Sequence, residues 1–162
     1  MSWSVILSMN MSRIFNSFME EALLQANIAF TLDEVPVGAV IIDNKTNQII
    51  AKSYNQNITL KDSTAHAEML AIRSACLIKN NSRLDDCDLY VTLEPCPMCA
   101  SAISLSRIKR VYFAASDPKS GGIIHGPKIF SHKTCHHKPE FYYDINADKS
   151  IQLLKDFFSR KR

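Results

Sequence analysis

The sequence predicts an α/β layered sheet that opens with a β-hairpin, and three observations carry that expectation. β-rich runs alternate with runs of helical spacing along the chain. Two of the β-rich runs flank a short polar turn. No internal repeat, low-complexity tract or Pro/Gly/Ser linker divides the 162 residues, so one domain with one continuous core is expected.

The elements follow in order. Ser12 is placed to cap a helix running to about Phe30, with Phe15, Phe18, Met19, Ala22, Ala26 and Ala29 on one side. After Pro36, the run Val37 to Asp43 and the run Gln48 to Tyr54 enclose the turn Asn44-Lys45-Thr46-Asn47, a hairpin signal. Asp62, Ser63 and Thr64 are good N-caps for a helix from Ala65 to Lys79 that turns Met69, Ile72, Cys76 and Leu77 inward. Leu89 to Leu93 reads as a strand. Pro95 suits the first turn of the next helix, which ends near Leu105. Arg110 to Ala114 is a strand, Gly121-Gly122 a loop, Glu140 to Asp144 a fifth strand, and Asp148 to Ser159 a closing helix.

Composition narrows the class without naming a function. With 46% hydrophobic and 22% charged residues, the chain is neither disordered, collagenous nor coiled coil. A net charge of +3 permits contact with phosphates but does not require it. The five cysteines are an odd number and no secretory leader precedes them, so reduced thiols and a cytoplasmic setting are expected. The apolar run Trp3 to Leu7 is too short to span a bilayer, and no membrane association is expected. Met9 and Met11 are alternative starts, so residues 1–11 are set apart as an extension to a domain over 12–162.

Two short motifs carry chemistry: His66-Ala67-Glu68 at one helix start, and Pro95-Cys96-Pro97-Met98-Cys99 leading from a strand into another helix. Separately each has an ordinary explanation. A lone histidine near a helix start usually caps or faces solvent, a glutamate in a first turn complements the dipole, and an isolated Cys-x-x-Cys can be a redox pair. Together they form a Cys₂His donor set that leaves zinc's fourth tetrahedral position open, as a catalytic rather than a structural site requires. Glu68, two residues from His66, can converge with it only on something off the helix tip. That pattern, H-x-E with P-C-x-x-C, is the signature of zinc-dependent nucleobase deaminases, with His66, Cys96 and Cys99 as ligands of Zn²⁺ and Glu68 as the proton carrier.

Over about Met11 to Arg162 the chain resembles the bacterial tRNA-specific adenosine deaminases of the cytidine-deaminase-like superfamily. The stretches that carry the resemblance are Glu34 to Val40, Thr64 to Glu68, Leu89 to Cys99, Ser106-Arg107-Ile108 and Asp156-Phe157-Phe158. The resemblance implies a three-layer α/β/α cytidine-deaminase-like fold around a five-stranded mixed sheet, a homodimer, and one zinc per subunit with no organic cofactor. It implies deamination of adenosine to inosine at the wobble position of a tRNA anticodon stem-loop. It sets Asn55 against the flipped nucleoside, the Ala67 amide near the base, and Asp117, Phe158 and Arg162 close to RNA. Without it, Asn55 reads as a strand-end turn residue, and Ile151, Leu154, Phe157 and Phe158 as a mostly buried stripe.

Three alternatives stay open on sequence: a guanine or cytosine deaminase acting on free base, a thioredoxin-like oxidoreductase, and a non-catalytic zinc module that binds RNA. The last needs a fourth ligand from Cys87, Cys135 or a late histidine. His125, His132, His136 and His137 fit no ligand pattern, and a solvated loop is expected there.

Overall fold

A computed structural model of the chain describes the backbone of residues 3–162 and the side chains of residues 17–162. The expected cap at Ser12, the inward Phe15 and the alternative starts at Met9 and Met11 concern side chains and termini outside that range. The first helix, α1 (Trp3–Thr31), starts earlier than Ser12. No proline or glycine stands between Trp3 and Thr31 to stop it.

Strands β1 (Gly38–Asp43) and β2 (Gln48–Tyr54) form the expected antiparallel hairpin, with a bulge at Ile41/Ile42. A four-residue helix that the sequence did not suggest, α2 (Asn57–Leu60), precedes α3 (Ala67–Lys79). Then come β3 (Cys87–Leu93), α4 (Pro97–Leu105), β4 (Arg110–Ala115), a 3₁₀ turn at Ile129–Ser131, β5 (Glu140–Tyr142) and α5 (Ala147–Ser159). The last strand is shorter than expected because Asp144 and Asn146 adopt left-handed backbone conformations, φ 65° and 56°, which break an extended run.

The strands form one mixed sheet in the order β2-β1-β3-β4-β5. β1 pairs antiparallel with both β2 and β3, whereas β3, β4 and β5 run parallel. β1 is buried on both faces, so it is apolar throughout its length apart from the terminal Asp43. Val40 and Ile42 join Met19, Ala22, Leu23, Tyr90 and Tyr112 in a core under α1. Ala39 and Ile41 face the opposite core with Ala71, Ile72, Ala100 and Ile103 of α3 and α4. Three layers result, α1 and α5 on one side and α3 and α4 on the other.

Two details fix the layers. A Cβ at Gly38 would lie 2.0 Å from the Ala22 carbonyl oxygen, so α1 lies directly on β1 only because that position has no side chain. Tyr90 stacks on Tyr112, and Tyr112 on Tyr142, at centroid separations of 4.4 and 5.1 Å, tying the three parallel strands. The inward face of α3 is Ala67, Glu68, Ala71, Ile72 and Ala75, while Leu77 is 82% exposed and does not pack inward as expected. Small alanines recur at the 3–4 spacing and let α3 lie close to the sheet. Among the described residues no helix is long and apolar enough to cross a membrane.

Candidate active site

The two motif-bearing helices begin later than their sequences suggest, and the difference matters. α3 starts at Ala67 rather than Ala65, and its N-cap is His66, in an extended conformation (φ −74°, ψ 152°). Asp62 and Thr64 do not cap it. They close their own tight turn, with the Thr64 amide and hydroxyl both donating to Asp62 Oδ1 at 2.8 and 2.7 Å. α4 starts at Pro97, so Pro97 and not Pro95 occupies the first helical position, and Cys96 is the N-cap (φ −67°, ψ 169°). A histidine and a cysteine therefore stand just outside two helices, with side chains free to turn towards each other.

They meet. His66 Nδ1 lies 3.6 Å from Cys96 Sγ and 3.5 Å from Cys99 Sγ. All three donor atoms are within 4.8 Å of one another, and among the described residues they form one group with no fourth member. Zn–S bonds of about 2.3 Å and Zn–N bonds of about 2.0 Å in tetrahedral geometry give N···S edges of about 3.5 Å. The donor set and its spacing therefore fit zinc, with Nδ1 as the histidine's donor atom. Neither Cys87 nor Cys135 belongs to the group. Cys135 contacts the Ser104 hydroxyl and donates to the His137 carbonyl.

The donor atoms shift one another's protonation. The Cys99 thiol hydrogen-bonds Cys96, which draws Cys96 down to about 4 despite burial, with His66 adding to the effect. The same bond, together with burial, pushes Cys99 up. Contact with Cys96 raises His66. Glu68, the second residue of α3, is 4% exposed, and burial lifts its carboxyl to about 7.

Asn55 and Ala67 are brought together. Asn55, 8% exposed, accepts the Ala67 amide hydrogen at Oδ1, 2.8 Å away. Asp117, Phe158 and Arg162 lie apart from that pair, lining a groove of about 860 Å³ between α5 and the segment after β4. None of His66, Glu68, Cys96 or Cys99 lines that groove. The expected buried stripe of α5 is mostly open: Phe157 is buried at 5% exposure, whereas Ile151, Leu154 and Phe158 line the groove. Phe157 packs against Phe30 and carries Lys161 over its ring, and Arg160 lies 4.2 Å over Phe30.

The late histidines divide: His132 and His136 are exposed, as a solvated loop predicts, whereas His125 and His137 are half-buried. His125 Nδ1 meets Glu94, His132 Nε2 meets the Pro127 carbonyl, and His137 Nε2 meets the Ile108 carbonyl. Two buried carboxylates escaped the sequence analysis. Glu34, 1% exposed, accepts the amides of Ile58 and Thr59 and so holds α2. Glu94, 2% exposed, is held below the ordinary glutamate value because, against its burial, hydrogen bonds from Asp117, His125 and Ile124 favour the charged form. The available signal was position: each is an acid close to the end of an apolar strand, in the stretches Glu34-Val35-Pro36 and Leu93-Glu94-Pro95.

Comparison with known proteins agrees with this geometry. Residues 13–115 match the profile of the cytidine and deoxycytidylate deaminase zinc-binding region, which makes the chain a zinc-dependent deaminase by class, with one zinc per chain. The tRNA-specific adenosine deaminase of Rickettsia bellii is 49% identical over 89% of this chain and 99% of that protein. That of Agrobacterium fabrum is 48% identical over 90% and 94%. The chain belongs to the tRNA-specific adenosine deaminase family. A solved structure from work on A-to-I editing by tRNA:A34 deaminases at the wobble position of transfer RNA superposes with a TM-score of 0.83 at 48% identity, covering 85% of this chain and 99% of that one.

Proposed function

We propose that this chain hydrolyses the 6-amino group of adenosine at the wobble position of a tRNA anticodon, giving inosine and ammonia. His66, Cys96 and Cys99 hold the zinc ion and Glu68 carries the protons. The observation that supports this most is the meeting of His66 Nδ1 with both thiols at zinc-edge distances, with a buried carboxylate two residues along. Relatives 49% and 48% identical that are named tRNA-specific adenosine deaminases support the substrate.

Zinc, when bound, acts as the Lewis acid that lets water attack at neutral pH. Glu68 accepts a proton from the attacking water and delivers it to N1 of adenine as C6 becomes tetrahedral. It then relays a second proton to the departing amine, which leaves as ammonia. Asn55 holds the first amide of α3 and so fixes the cap that bears His66; its side chain and the Ala67 backbone form the wall against the nucleoside. The target amine is inaccessible in a stacked duplex, so the base must be presented unstacked, which an anticodon loop does at small cost. The groove holding Asp117, Phe158 and Arg162 receives the flanking RNA, with Phe158 as a stacking surface. The deaminase domain spans residues 12–162, residues 1–11 are an extension, and the protein works in the cytoplasm as a homodimer.

The test is to incubate purified protein with candidate tRNAs and sequence the wobble base before and after. Conversion of A to a G-reading base supports the proposal. Ammonia release from free guanine or cytosine, with tRNA unchanged, replaces it with a free-base deaminase. Sedimentation of the purified chain decides between monomer and dimer.

A further inference from the structure

Glu94 directly follows β3, two residues before Cys96, and its carboxylate is enclosed by a single loop. Oε2 accepts the Asp117 amide at 2.9 Å. Oε1 accepts the amides of Ile123, Ile124 and His125 at 3.2, 2.9 and 3.0 Å. His125 adds its Nδ1 to Oε2 at 2.7 Å, and its own side chain is one-third exposed while that of Glu94 is fully buried. Four backbone amides and a ring nitrogen thus converge on one carboxylate, gathering both ends of the segment 117–125 around it. The fit is tight: a Cβ at Gly121 would come within 2.4 Å of Glu94 Cδ.

The loop faces two ways. Its outer part, Asp117, Lys119 and Ser120, forms the groove wall opposite α5. Its inner part is fastened to the strand end before the metal-binding motif, where the Gly122 amide donates to the Pro95 carbonyl at 2.8 Å. A buried acid whose partners among the described residues are the loop's own donors has a cost in desolvation that packing alone does not require. It does determine where Asp117 stands relative to Cys96.

We propose that Glu94 and His125 are positioning residues for RNA: the carboxylate holds the 117–125 loop at a fixed distance from the Cys96 turn, so that the groove wall and the deamination site engage one RNA together. The proposal rests on the tRNA substrate put forward above. His125→Ala removes one of the five donors, and His125→Asn restores a side-chain N–H to the same place. The stem-loop Kd, KM, kcat, zinc content and thermal midpoint are measured for both, with Glu94→Gln as a harsher variant.

For His125→Ala, Kd and KM for an anticodon stem-loop rise about tenfold or more, kcat moves far less, and zinc content stays at the parent level. His125→Asn recovers most of the loss. Unchanged Kd and KM in His125→Ala, with faster amide exchange at 123–125, overturn the proposal, because the loop would then be loose without consequence. Equal losses in His125→Ala and His125→Asn also overturn it. If Glu94→Gln does not fold, the His125 pair still decides. A parent protein that binds the stem-loop but forms no inosine ends the functional proposal and leaves the Kd comparison to decide this one. A parent that binds no stem-loop overturns both.

Discussion

Ala67 donates its amide hydrogen to Asn55 Oδ1 across 2.8 Å, joining the residue after β2 to the first residue of α3. The opening amides of a helix have no partner inside it, and the usual capping side chain here is occupied otherwise: His66 is the cap residue, but its ring turns to the two thiols. Asn55 supplies from a distance what a serine or aspartate cap would supply locally. Asn55→Ala leaves a buried amide unsatisfied and lowers stability by about 1–3 kcal/mol. Thermal unfolding registers this as a drop of roughly 2–4 °C per kcal/mol. Asn55→Asp, which keeps the acceptor, recovers most of it.

Glu68→Gln keeps shape and burial but removes the proposed proton carrier. Turnover on an anticodon stem-loop falls by about a hundredfold or more, while metal analysis still finds one zinc per chain. Cys99→Ala does the reverse at the metal. It removes one of three donors and zinc content falls with activity. Parent-level turnover in Glu68→Gln would falsify the division of labour between the two motifs.

Away from the site, Asp86 is held at about 2, below its ordinary 3.8, chiefly by Lys45 and then by Lys79, which also pairs with Asp43 at 2.8 Å. A carboxylate depressed in the folded state stabilises fully above its unfolded value and loses that contribution as pH falls towards the folded one. Urea unfolding therefore shows stability declining between pH 4 and pH 2. Asp86→Asn starts lower at pH 6 and declines less steeply across that window.

The end of α5 sets a buried ring beside an exposed one, and the RNA role proposed for Phe158 can be tested apart from packing. Phe157 is 5% exposed and Phe158 50% exposed. Phe157→Ala costs about 3–5 kcal/mol of stability. Phe158→Ala leaves the thermal midpoint nearly unchanged and weakens stem-loop binding about tenfold, the scale of one lost base stack. Gel-shift titration at fixed salt, beside a melting curve, distinguishes the two.

What the sequence made legible followed chemical type. Thiols and an imidazole at ligand spacing are rare enough to announce a metal, and the three side chains do meet. Helix starts were misplaced by two residues at both motifs because the capping positions were filled by ligands rather than by ordinary capping side chains. Leu77 was expected inside and lies outside, since the alanines at 67, 71 and 75 had already defined the inward face. Glu34 and Glu94 were illegible because their partners are chiefly backbone amides 23 to 31 positions away. Such amides carry no residue identity for a pattern to register. α2 was missed for the same reason, its amides being held by Glu34 from outside the segment.

His66 and the two thiols are separated by 30 and 33 positions, with β3 and its antiparallel partnership to β1 lying between them in the chain's assembly. An extended chain gathers such distant donors only against loop-closure entropy, so the ion's affinity belongs to the native topology and not to any peptide cut from it. By mass action, every tenfold rise in free metal above its dissociation constant deepens the native basin by about 1.4 kcal/mol. Metal supply thereby sets the protein's lifetime against heat and proteases as well as its turnover.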